Sequence, residues 1–250
     1  MWKFAGSLTV AAALFFTMAL PAAAQVLAAD TDRREAIRQY RAGQELLAAE
    51  QFAKAADAFT AAIKSDPLLT DAHYGLGQSF MGLQRYASAI QAFQGCIEAA
   101  RQLHQLRQND RTASDRLIDE EIRELKDSVR RVASGQVRVG QPQIKQTQLE
   151  QRIQELERSR SSLSSNFEVP ATVLLSLGSA HFRNGDRDAA EKYWTDAVKV
   201  NSRLGEAWNN LAVIHLGTGN KKAAEEAVRN AERAGFRVNP RLKDDIRAMK

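Results

Sequence analysis

Four histidines and one cysteine are the residues of this 250-residue chain best suited to metal or nucleophilic chemistry. A zinc site needs three or four such ligands at spacings that let them converge. His73, His104, His181 and His215 each lack a metal-like neighbour at helical spacing, and the single thiol, Cys96, cannot complete a closed site. General acid–base work needs carboxyl groups that face one another. Asp119-Glu120-Glu121 and Asp244-Asp245 are instead neighbours along helix-like segments and read as solvated surface. The glycines of "HYGLGQSFMG" lie inside a helical pattern with no strand before them, so they are no phosphate-binding loop. The expectation is a chain with no catalytic residue, no metal and no cofactor.

The elements that carry these residues are helical. Proline is scarce, at five residues, while Ala, Gln, Glu, Arg and Leu recur throughout. Apolar content is 44% and charged content 26%, ordinary for a globular protein. The formal charge of +5 is spread among both signs, which disfavours a nucleic-acid partner. Residues 1–24 differ: Lys3, an uncharged run from Phe4 to Leu20, then Pro21 and Ala22-Ala23-Ala24. That order reads as a secretory signal, cut after Ala24. It places the protein outside the cytoplasm, periplasmic or extracellular, with no stable membrane span after cleavage. An uncleaved anchor is the alternative, though the apolar run is short for a span of roughly 20 residues.

A repeat organises the rest. Gly43 and Gly77, Ala55 and Ala89, and Phe59 and Phe93 are each 34 residues apart. Gly178 and Ala212, Ala190 and Ala224, and Trp194 and Val228 repeat the step of 34. The four units resemble the tetratricopeptide repeat, in the manner of exported bacterial members. Gln39, Ala42, Gly43, Leu46, Ala55, Phe59 and Pro67 mark the first unit, and His73, Leu76, Gly77, Phe80, Ala89 and Phe93 the second. Leu174, Leu177, Gly178, His181, Ala190 and Trp194 mark the third, and Trp208, Leu211, Ala212, His215, Ala224 and Val228 the fourth. Only the first unit keeps the closing proline; Arg101, Ser202 and Phe236 stand at the equivalent places. On this resemblance His73, His181 and His215 are packing positions, and Cys96 is a small buried residue rather than a nucleophile.

The fold expected is therefore all-α: a helical solenoid of four repeats, at 33–103 and 170–236, with an inserted coiled-coil-like hairpin at 104–168 and a polar capping helix at 237–250. Gly185 and Gly219 are placed to end first helices. Two heptad stretches identify the hairpin. Ile118, Ile122, Leu125, Val129 and Val132 alternate spacings of four and three, as do Leu149, Ile153, Leu156, Arg160 and Leu163. Gly135, Gly140 and Pro142 break the pattern between them. Helices over 112–134 and 143–165 are predicted to pair antiparallel and project from the array, their charged faces in water.

The resemblance also implies a function. First helices of such repeats line a concave groove that holds a peptide or a partner's helix. By position, that surface comprises Ile37, Tyr40, Gln44, Leu47, Asp71, Tyr74, Gln78, Met81, Thr172, Leu175, Ser179, Phe182, Glu206, Asn209, Val213 and Leu216. Tyr40, Gln44, Leu47, Tyr74, Gln78, Met81, Ser179, Phe182 and Asn209 are the candidate binding residues. Tyr40 and Gln44 stand where chaperone-binding members carry carboxylate-gripping residues, so a terminal carboxylate is disfavoured. An exported adaptor holding an apolar or helical segment is expected. The alternative is a structural protein that self-associates through the 112–165 hairpin.

Overall fold

The computed structural model describes residues 30–109, 111–137, 142–161 and 167–249; residues 1–24, expected to be a signal, and Leu163 lie outside them. Those residues form eleven helices. Two pairs come first: α1 (Asp30–Ala48) with α2 (Phe52–Ser65), and α3 (Thr70–Gly82) with α4 (Tyr86–Asn109). The insert follows as α5 (Arg111–Ala133) and α6 (Pro142–Ser161). Two more pairs are α7 (Ala171–Arg183) with α8 (Arg187–Val200), and α9 (Gly205–Gly217) with α10 (Lys221–Arg233); α11 (Pro240–Ala248) closes the stack.

Each of the first three pairs closes on a small residue facing a ring. A methyl group on Gly43 would stand 2.8 Å from the Phe59 ring, and one on Gly178 would stand 2.6 Å from Trp194. Phe59 also abuts Gly75 of the next unit, and Phe93 abuts Gly77, so the rings fill the space within and between repeats. The turns between paired helices need a left-handed residue. Gly185 and Gly219 supply it at φ +90° and +77°, whereas Glu50 and Gln84 adopt φ 57° with a side chain. Asp186 and Asn220 then cap the following helices by accepting from Ala189 and Ala223.

The second and third repeats stack directly. Ala89, Phe93 and Cys96 of α4 share one core with Val173, Leu177 and Ala180 of α7, so the chain leaves the array and returns to the same place. α4 is the longest helix at 24 residues. It runs past the expected end of the repeat near 103, and Leu103 and Leu106 form a small core with Leu68 and Leu117. At the far end Asn239 caps α11, Pro240 occupies its first turn, and Ile246 is buried among the last two repeats.

Within the hairpin, Ile118, Ile122, Leu125, Val129 and Val132 pack on Leu149, Ile153 and Leu156. Burying each such side chain contributes about 1.5–3 kcal/mol, so these are the contacts that pair α5 with α6. Arg160, expected at the seam, is half-exposed and pairs with Asp119 across the hairpin. The hairpin does not project. It folds back over the first helices of repeats 1 to 3, because polar side chains beside its apolar stripe meet matching groups there. Glu121, Glu124 and Ser128 are buried, not solvated as their sequence suggests.

Candidate functional site

α5 and α6 each carry a polar stripe parallel to the apolar one. On α5 it is Glu121, Glu124 and Ser128; on α6 it is Lys145, Gln148, Arg152 and Glu155. The spacing of three and four is the same, one step around the helix.

These stripes seat the hairpin on the array. Arg33 of α1 bonds to Asp66, Glu120 and the Leu117 carbonyl, and Arg41 pairs with Glu124. Ser128 donates to Gln44 at 2.8 Å. The centre is Arg152, whose Nε donates to Asp71 Oδ1 at 2.7 Å and whose Nη2 donates to Thr70 at 2.9 Å. Thr70 in turn donates to Glu121 at 2.7 Å, and the Asp71 amide reaches the same carboxyl at 3.2 Å. Glu155 lies 3.6 Å from Arg152 and accepts from the Thr172 hydroxyl at 2.8 Å, which ties the network to repeat 3.

Two carboxylates, Asp71 and Glu121, share this buried space. Burial, and then Asp71, push the Glu121 carboxyl up to about 7, with Arg152 opposing. Burial alone would weaken the hold of Arg152 on its proton, but Asp71, Glu155 and Glu121, with Cys96, together outweigh it and keep the guanidinium charged. Asp71 Oδ2 has no hydrogen-bond partner among the described residues.

Between α6 and the first helices of the repeats an open cavity of about 1070 Å³ remains. Of the expected binding residues, Tyr40, Gln44, Leu47, Tyr74, Gln78, Met81, Ser179 and Asn209 line it. Phe182 does not: its ring packs 5.6 Å from Trp194 in the core of repeats 3 and 4. Val213 and Leu216 also lie off the cavity, and Ile37 faces the outer end near Arg41. Tyr40 is nearly inaccessible, its hydroxyl accepting from Gln44; burial raises its pKa well above the ordinary phenol value. The Tyr74 hydroxyl meets Ser176 at 2.9 Å, and burial pushes it up to about 12. Both rings therefore serve as wall rather than as free donors.

Sequence reasoning missed the roof. Gln143, Ile144, Lys145, Thr147, Gln148 and Gln151 come from α6, and Ile144 is 53% exposed. The signal was the second stripe on α6, at the same spacing as the apolar one.

The residues first considered for chemistry are packing elements. Cys96 is buried and its thiol is pushed up to about 12 by that burial. His181 stacks on Tyr193 at 5.2 Å, and His73 contacts the Pro67 carbonyl at 3.0 Å. No helix among the described residues is long and apolar enough to cross a membrane.

A sequence model of the family described as "Tetratricopeptide repeat" matches residues 40–104 and 175–235. Photosystem I assembly protein Ycf3 of Rippkaea orientalis is 37% identical over 60 residues. That stretch is 24% of this chain and 35% of the relative, so the chain spans about a third of the relative's length. The crystal structure of MamA aligns with 77% of this chain and 94% of its own at 15% identity and a TM-score of 0.28. The crystal structure of the APC/C hetero-tetramer Cut9-Hcn1 aligns with 90% of this chain and 44% of its own, at 14% identity and a TM-score of 0.29.

Proposed function

The chain belongs to the tetratricopeptide repeat family, and from that premise we propose that it is an exported scaffold holding an extended segment of a partner protein between α6 and the concave face of the repeats. Members of the family are in general non-catalytic binding proteins, which fits the packing roles of Cys96 and the histidines. The observation that carries the reading is the amide lining of the cavity. Gln78, Gln148, Gln151, Asn209 and Asn210 face it and make no side-chain hydrogen bond among the described residues. A helix satisfies its own backbone groups, whereas an extended chain brings unpaired N–H and C=O groups that amides can both accept from and donate to. An extended occupant therefore suits the cavity better than the apolar or helical segment expected from sequence. Export rests on the Phe4–Leu20 apolar run and the small residues after Pro21.

A photo-crosslinking side chain at Gln78 or Ser179, compared with one at Glu226 on the outer face of α10, tests the groove. The groove positions should capture one shared partner that Glu226 does not. Identical captures at all three positions would remove the groove from the account. The N-terminus of the mature protein, read by mass spectrometry, tests export; retention of Met1 in the cytoplasmic fraction counts against it. Self-association through the hairpin has less support, because its apolar stripe is already buried between α5 and α6.

A further inference from the structure

The charges around the cavity do not balance. Lys145 enters from α6, Arg203 from the loop before α9, and Arg237 from the loop before α11. None of the three side chains has an ion pair or hydrogen bond among the described residues. The other lining charges are Asp71 and Arg152, which neutralise each other, and Glu206 at the rim. Three free cations thus face one free carboxylate. Lys145 is the most enclosed of the three, and burial lowers its pKa, offset in part by Asp71. Asp71 is already engaged by Arg152, so Lys145, half-buried and with no direct ion pair, carries a partly compensated charge that an arriving anion relieves.

We propose that the cavity takes an acidic stretch of extended polypeptide, in which an Asp or Glu side chain supplies the missing counter-ion of Lys145 and further carboxylates meet Arg203 and Arg237. This rests on the groove reading above and specifies its ligand. Side-chain carboxylates are favoured over a chain terminus because the anchoring cation comes from the inserted hairpin, while Tyr40 and Gln44 occupy the repeat positions that would grip a terminus. The exposed cations at the mouth would steer an acidic chain inward, and Lys145 would hold it.

The test uses the full mature chain and two fluorescein-labelled sets of acetylated, amidated ten-residue peptides. The sets are identical except that one carries Glu wherever the other carries Gln. The Glu set should bind about tenfold tighter, as expected for one charge-assisted hydrogen bond. Lys145→Met should shrink the preference to the weaker, solvent-screened contribution of Arg203 and Arg237, and Lys145→Arg should keep it. The Glu set should also protect Lys145 from acylation by an N-hydroxysuccinimide ester, read by mass spectrometry. Lys199→Ala, on the outside of α8, should change nothing. Equal binding of both sets, or a preference undiminished by Lys145→Met, overturns the acidic ligand. The groove reading then stands if Ser179→Trp, which fills the cavity, abolishes binding of both sets. If neither set binds and Lys145 is never protected, the groove reading falls with the proposal. Circular dichroism of each variant confirms the fold.

Discussion

Arg152 and Asp71 are 81 residues apart in the chain, yet the guanidinium of one donates to the carboxylate of the other at 2.7 Å, with both side chains buried. The pair joins the inserted hairpin to the second repeat. Breaking a buried pair leaves an uncompensated charge, which costs more than the pair contributes. Arg152→Met should therefore destabilise the protein by about 3–5 kcal/mol in urea unfolding. Adding Asp71→Leu and Glu121→Leu should recover most of that loss. A triple variant no more stable than Arg152→Met alone would contradict the argument.

Glu121 gives the protein a pH-dependent component of stability. Its carboxyl, pushed up to about 7 from an ordinary 4.5, holds its proton more tightly folded than unfolded. Between those values the folded state binds more protons, so this contribution to stability falls as pH rises and is smallest above 7. Glu121→Gln should gain stability relative to the parent at pH 8 and little at pH 4. Thermal melts of both proteins across that range measure the difference, and parallel curves would show that Glu121 is not the source.

Glu50 and Gln84 occupy the left-handed turn position that Gly185 and Gly219 fill in the later repeats. A side chain there meets the following carbonyl, a strain that glycine avoids. Gln84→Gly should stabilise by about 0.5–1 kcal/mol, net of the entropy that glycine adds to the unfolded chain. Gly185→Gln should do the reverse. Denaturant midpoints report both.

Gly178→Ala places a methyl group against Trp194, whose indole N–H is fixed to the Leu175 carbonyl at 3.0 Å. The ring cannot yield without losing that bond. Overpacking of this kind costs about 1–3 kcal/mol. Trp194→Phe in the same chain should soften the effect, which a double-mutant cycle measures.

The solenoid was legible because its information is local and repeated. Gly43 with Phe59 and Gly178 with Trp194 recur at a fixed step, and each small residue predicts the ring that covers it. The hairpin pairing was legible for the same reason, from the alternating spacing of Ile118 to Val132 and Leu149 to Leu156. The seating of the hairpin was not. Glu121, Glu124 and Arg152 look like surface residues until their partners are known, and those partners lie on α1 and α3. Periodicity marks that a second stripe exists but not what it meets. The groove positions were placed by repeat register, which put Tyr74, Gln78 and Ser179 on the cavity. It failed for Phe182, where the ring turns toward Trp194 instead.

The hairpin spans three repeats, bonded to Arg33 and Arg41 in the first, Thr70 and Asp71 in the second and Thr172 in the third. A stack in which each repeat touches only its neighbours bends like a coil spring and frays from its ends. A strut fixed at three points along the inner curve removes that freedom. The first repeat cannot peel away without also parting from α5, so its loss is tied to the loss of the brace. The brace thereby narrows the range of widths open to the mouth of the groove, so less of its freedom is left to lose when the array is held still.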